Sequence, residues 1–209
     1  MKTKTSIKRI LDILDSLYPQ SGKCFLNYET PWQLLFATIM SAQCTDERVN
    51  SVTPALFARF PTLEAFAAAD TKEIEKIIHS TGFFRAKAKH LRESARLILD
   101  NFGGDLPSDI DSLTTLSGVG RKTANVVRGH IFHIPSIVVD THVKRVSNRL
   151  GLALHSDPVK IEHELMEILP KEHWIRYNQQ VITHGRAVCI SRAPRCEACE
   201  LHKECEMKK

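Results

Sequence analysis

The hydrophobic positions of this 209-residue chain recur at helical intervals from one end to the other. Ile7, Ile10, Leu11, Leu14 and Leu17 fall on one stripe. Leu34, Leu35, Thr38 and Ile39 form a second behind Pro31, a residue suited to a first helical turn, where its missing N–H would have no partner anyway. The same period predicts helices over 53–60, 62–68, 71–79, 85–101, 122–132, 141–150, 158–169 and 174–187, with a short turn at 110–113. Connections are short and punctuated by Pro19, Pro31, Pro61, Gly82, Gly103, Gly104, Pro107, Pro135 and Pro170, as in a packed helical protein. A strand-like run at 136–139 is too short to build a sheet and reads as a buried connector. The predicted fold class is all-α. With no repeat and no linker-like boundary, any two-domain division has to be made by helices from separate parts of the chain.

Composition narrows the function classes. A hydrophobic content of 43% suits a folded chain and not a disordered one. No apolar run reaches the roughly 20 residues that span a bilayer, and the first residues lead into an amphipathic pattern and not a signal-peptide core. No membrane partner and a cytoplasmic location are therefore expected. The formal charge is +5, and its distribution says more than its size. Between residues 121 and 149 stand Arg121, Lys122, Arg128, Lys144, Arg145 and Arg149 against one acid, Asp140, so this segment carries the whole excess. Clustered cations are the footprint of a phosphate-backbone reader, and equally of a solvated basic face.

Within that segment, Leu116-Ser117-Gly118-Val119-Gly120-Arg121-Lys122 sets two glycines just ahead of a helical run. Glycine admits positive φ and close backbone approach, and amides exposed beside a helix N-terminus cradle phosphate. A tight helix-helix turn punctuated by glycine is the plain alternative. Lys122 is a candidate nucleophile, since a neutral amine attacks a sugar carbon to form a Schiff base; a simple phosphate contact is its rival. Asp140 closes the run 137–139 and precedes a helical pattern, so it reads as an N-cap. A helix of about ten residues and a turn need return only about 15 Å to bring this carboxylate near the amine.

Cys189, Cys196, Cys199 and Cys205 make a C-x6-C-x2-C-x5-C pattern, the densest chemical signal in the chain. Soft thiolates at such density suit a metal. Zinc sites generally use two paired knuckles, and only Cys196 and Cys199 are so paired; disulfides fit an exporting context that nothing here suggests. An iron-sulfur cluster is chemically reasonable for four thiolates. Cys24 and Cys44 share no such spacing and read as buried or half-buried thiols.

Taken together these motifs resemble the endonuclease III family of DNA glycosylases. The segment 116–122 is similar to that family's helix-hairpin-helix, 138–142 to its catalytic aspartate segment, and 41–46 (Ser-Ala-Gln-Cys-Thr-Asp) to a third family block, in the family's order and over nearly the whole chain. The resemblance implies a two-lobed fold, with a six-helix barrel over 22–133 and a second lobe built from 1–21 and 134–209. It implies a [4Fe-4S] cluster on Cys189, Cys196, Cys199 and Cys205. It further implies a nucleoid-associated monomer whose partner is double-stranded DNA carrying damaged bases or abasic sites. The implied activity is bifunctional: removal of oxidised pyrimidines with Lys122 attacking and Asp140 assisting, then strand cleavage 3′ to the abasic site by β-elimination. DNA contacts fall on Gln43, Leu116, Gly118, Val119, Gly120, Thr123, His142, Arg145 and Arg149. Gln43 would fill the space of the extruded nucleotide and Phe83 would wedge opposite, although the family often has Leu-Tyr where this chain has Phe83-Phe84, and a core role for Phe83 is the alternative. Asp46 or His142 would line the lesion pocket. Other readings are a monofunctional mismatch or adenine glycosylase of the same superfamily, which lacks the lysine, and a non-catalytic DNA-binding module, which has no need of Asp140.

Overall fold

Helix starts in this chain are written as hydroxyl and carboxylate caps. In the computed structural model, which describes residues 2–19 and 22–207, Thr3, Thr45, Thr62, Asp70, Asp109, Asp140 and Asp157 each accept a first-turn backbone N–H through the side chain. Each such cap contributes about 1 kcal/mol. The helices they open, with four others, are α1 (Lys4–Leu17), α2 (Pro31–Met40), α3 (Asp46–Arg59), α4 (Leu63–Ala68), α5 (Thr71–Ile78), α6 (Phe84–Phe102), α7 (Ile110–Thr114), α8 (Arg121–His130), α9 (Thr141–Leu150), α10 (Pro158–Ile168) and α11 (Trp174–Ala187). Short 3-10 turns fill several connections, and among the described residues there is no strand.

The all-α expectation holds, and two boundaries move. Helix α3 begins at Asp46, seven residues before the predicted start, because Thr45 caps it and Asp46 and Glu47 favour its positive end. Pro54 therefore lies inside the helix; the Thr53 hydroxyl donates to the Asn50 carbonyl that Pro54 cannot serve (3.4 Å). Helix α8 stops at His130, short of the predicted 132, where His133 takes a φ of 52° and the Ile134 N–H returns to the Arg128 carbonyl (3.0 Å).

The chain forms two compact units, Cys24–Ile134 and the combination of Met1–Lys23 with Pro135–Lys209. In the first, α2 is buried all round from Gln33 to Met40 and packs against α3, α6 and α8. Trp32, Phe36, Phe57 and Phe66 meet edge to face about it, with centroids 4.9 to 6.4 Å apart. In the second, α1 lays Ile7, Ile10, Leu11 and Leu14 into a core with Val146, Leu165, Tyr177 and Val181. The run 136–139 is indeed a connector: Asn178, itself buried, accepts from the Val138 N–H (3.1 Å) and donates to the Ser136 carbonyl (3.2 Å), doing for this backbone what a neighbouring strand would. Gly185 lets α11 approach α9, since a Cβ there would stand 2.8 Å from His142 Nδ1.

Candidate nucleic-acid interface and thiol centre

Between α7 and α8 the chain turns outward on its glycines. Leu116 and Val119 are 2% and 6% exposed and anchor the turn in the core of their unit, whereas Gly118 and Gly120 are exposed. The turn therefore offers main chain, not side chains, to a partner; Leu116 and Val119 can contribute to DNA contact only through their backbone. Gly118 has a φ of 76°, and a Cβ on it would meet the His90 ring at 2.8 Å, so glycine is required twice over. Gly120 is the N-cap of α8 and brings no side chain, so the first turn of α8 starts without a side-chain cap.

The inner side of this turn is pinned by α6, through contacts that the sequence reading of that helix did not find. The Ser94 hydroxyl donates to the Ser117 carbonyl (2.7 Å), the Ser117 hydroxyl donates to Glu93 (2.6 Å), and His90 Nδ1 donates to the Ser117 oxygen (2.9 Å). The hydrogen bond from Ser117 holds the Glu93 carboxyl below the usual range, and Lys89 and His90 add to this. Its only sequence signal was a polar cluster at 89–94, indistinguishable there from a solvated helix face. Lys122 is exposed on the second residue of α8 and Thr123 is half-buried on the third. In the same unit, Gln43 and Phe83 are exposed on turns with φ of 52° and 46°. The left-handed region costs a residue with a Cβ on the order of 1–3 kcal/mol, a burden that clusters at functional turns. Phe83 is 67% exposed, which removes the core reading for it. Asp46 is half-buried in the first turn of α3.

In the other unit, Asp140 is half-buried and caps α9, its Oδ1 accepting from the N–H groups of His142 (2.9 Å) and Val143 (2.7 Å). The structure gives Arg145 and Arg149 a clear occupation. Arg145 donates to His142 Nδ1 (3.0 Å) and to the carbonyls of Gly185 (3.0 Å) and Cys189 (3.2 Å). Arg149 donates to the carbonyls of Ile190 (2.9 Å) and Ser191 (2.8 Å) and to Cys189 Sγ (3.2 Å). Both guanidinium groups thus strap the cysteine loop to α9, which the sequence reading, assigning them to DNA, did not see.

All six cysteines are free and half-buried. The loop carrying four of them winds through 3-10 turns at Cys196–Ala198 and His202–Glu204, with the Cys205 thiol directed to the Arg149 carbonyl (3.1 Å). Tyr18 hydrogen-bonds His184 Nδ1 (3.0 Å), whose Nε2 lies 3.5 Å from Cys199 Sγ. Burial pushes the Cys199 and Cys205 thiols up, and the charges of the other loop cysteines push the same way. Four cysteine thiols in one loop are a donor set that suits an iron-sulfur cluster or zinc.

Residues 36–171 match the family model described as HhH-GPD superfamily base excision DNA repair protein, the class to which the helical fold and glycine hairpin point. The chain is 53% identical over 203 residues to endonuclease III of Synechocystis sp., covering 97% of this chain and 92% of that relative. It is 41% identical over 200 residues to the Bacillus subtilis enzyme, covering 95% and 91%. A solved structure described as a trapped endonuclease III–DNA covalent intermediate superposes with a TM-score of 0.93 at 40% identity, over 99% of this chain and 97% of that one. A thermostable thymine-DNA glycosylase, 22% identical with a TM-score of 0.87, shares the fold. The chain belongs to the endonuclease III family.

Proposed function

We propose that this chain, by its family a bifunctional base-excision DNA glycosylase and AP lyase, removes oxidised pyrimidines from duplex DNA and then cuts 3′ to the abasic site. Lys122 attacks C1′ of the extruded nucleotide as a neutral amine and the bond to the base breaks; loss of the amine proton and opening of the sugar's C1′–O4′ bond then give a Schiff base. The Asp140 carboxylate stabilises positive charge developing on the sugar and assists proton movement. Loss of a C2′ proton then expels the 3′ phosphate. The backbone of 118–120 cradles a phosphate, Thr123 lies beside it, and Asp46 or His142 lines the base pocket. Arg145 and Arg149 act by holding the thiol loop. Cys189, Cys196, Cys199 and Cys205 hold a [4Fe-4S] cluster whose role is to fix that loop. Duplex DNA is the partner of a monomer working at the nucleoid.

The observation that carries this reading is an exposed lysine on the second residue of a helix whose start is a glycine turn with bare backbone, pinned from within by α6. A duplex panel, each bearing one lesion, tests it. Oxidised pyrimidines are expected to be excised and the strand nicked at matching rates. Base release without nicking would mark a monofunctional enzyme, and binding without either would leave a DNA-binding module.

A further inference from the structure

The unit Cys24–Ile134 presents Gln43 and Phe83 on two strained turns, and one buried side chain stands behind the second. Lys87, on the first turn of α6, is 3% exposed. Its ammonium donates to the Thr81 carbonyl (2.8 Å), while its backbone N–H donates to the Phe83 carbonyl (3.1 Å). One residue thus grips the chain on either side of Gly82 and Phe83. Thr81 is equally buried, its hydroxyl donating to the Ile78 carbonyl (2.8 Å), so the grip is anchored to α5. Burial pushes the Lys87 amine down.

A buried ammonium whose acceptor is a main-chain carbonyl is a costly way to fill a core, where methionine would occupy similar space without desolvating a charge. Its return is a donor at a chosen point, and an ammonium has three. The point chosen is the turn that holds Phe83 at positive φ. We infer that Lys87 is a positioning residue for nucleotide extrusion: it fixes the Gly82–Phe83 turn, so the Phe83 side chain stands ready to enter the base stack. The inference rests on the reading of Phe83 as an inserting residue. Lys87 itself touches no DNA.

Lys87→Met tests it, compared with Lys87→Arg, Phe83→Ala and the double variant Lys87→Met with Phe83→Ala. Single-turnover excision from a lesion duplex is expected to fall roughly 10- to 100-fold in Lys87→Met, the scale of a displacement of about 1 Å. The fluorescence rise of 2-aminopurine next to the lesion, which reports unstacking, is expected to fall with it. Cleavage at a preformed abasic site in single-stranded DNA, where no base has to leave a stack, is expected to change less than about threefold. The melting temperature is expected to stay level or rise, since the desolvated charge is gone. Lys87→Arg, which keeps a donor, is expected to recover most of the lost excision, and the double variant to be no worse than Phe83→Ala alone. Equal losses on both substrates together with a lower melting temperature would reduce Lys87 to a structural residue, and unchanged excision would remove the role outright. If Phe83→Ala excises normally, the inserting role fails first and the inference goes with it; if Phe83→Ala is impaired and Lys87→Met is not, only the inference fails.

Discussion

Single residues at the hairpin carry constraints that can be read as energies. Gly118→Ala places a methyl group into the His90 ring and holds alanine at a φ of 76°. It is expected to lower stability by about 1–3 kcal/mol, measured by urea unfolding, and to weaken duplex binding beyond what the lost stability accounts for. Glu93 offers a pH handle on the same turn. Its folded carboxyl titrates below the unfolded value, so its contribution is complete above about pH 4.3 and is lost as pH falls through the folded value. Amide exchange at Ser117 and Val119, corrected for its intrinsic pH dependence, should therefore quicken below about pH 4; in Glu93→Gln, this acid-induced step should be absent. These anchors were illegible in the sequence because a hydrogen bond between α6 and a turn more than twenty residues away leaves no local period. Gly118 was legible because backbone geometry restricts residue type directly; Gly120, at a φ of −96° with open space around it, is under no such restriction.

At the scale of the helix, Asp140 has two roles that one pair of substitutions separates. As the N-cap of α9 it accepts two backbone N–H groups. Asparagine caps equally well, so Asp140→Asn should melt like the parent while Asp140→Ala loses about 0.5–2 kcal/mol. If the carboxylate also serves the sugar, both variants lose base excision by at least about 10²-fold, whereas a capping role alone would spare the asparagine variant. Helices were the most legible feature of the chain: the stripe on α1 and the caps of α4, α5 and α10 follow from local pattern and cap chemistry. The start of α3 was missed because Thr45 and Asp46 were read as part of a motif, although Thr45 followed by acids is itself a helix start.

For the whole molecule, the thiol centre ties the last described segment to α9, α11 and α1 through Arg149, His184, Tyr18 and the Arg9–Glu204 ion pair (2.7 Å). Purified protein should contain about four irons and matching sulfide per chain. Cys199→Ala should lose them and melt lower, while zinc in their place would overturn the cluster assignment. Spacing revealed the four cysteines, but the guanidinium straps between them and α9 depend on a fold that brings residue 149 to residue 189. The assignment of chemistry stands or falls on the amine of α8. Borohydride reduction of the enzyme mixed with duplex carrying an oxidised pyrimidine should trap a covalent protein–DNA species in the parent and none in Lys122→Ala at equal folding and DNA binding; a trapped species of undiminished yield from Lys122→Ala would place the nucleophile elsewhere.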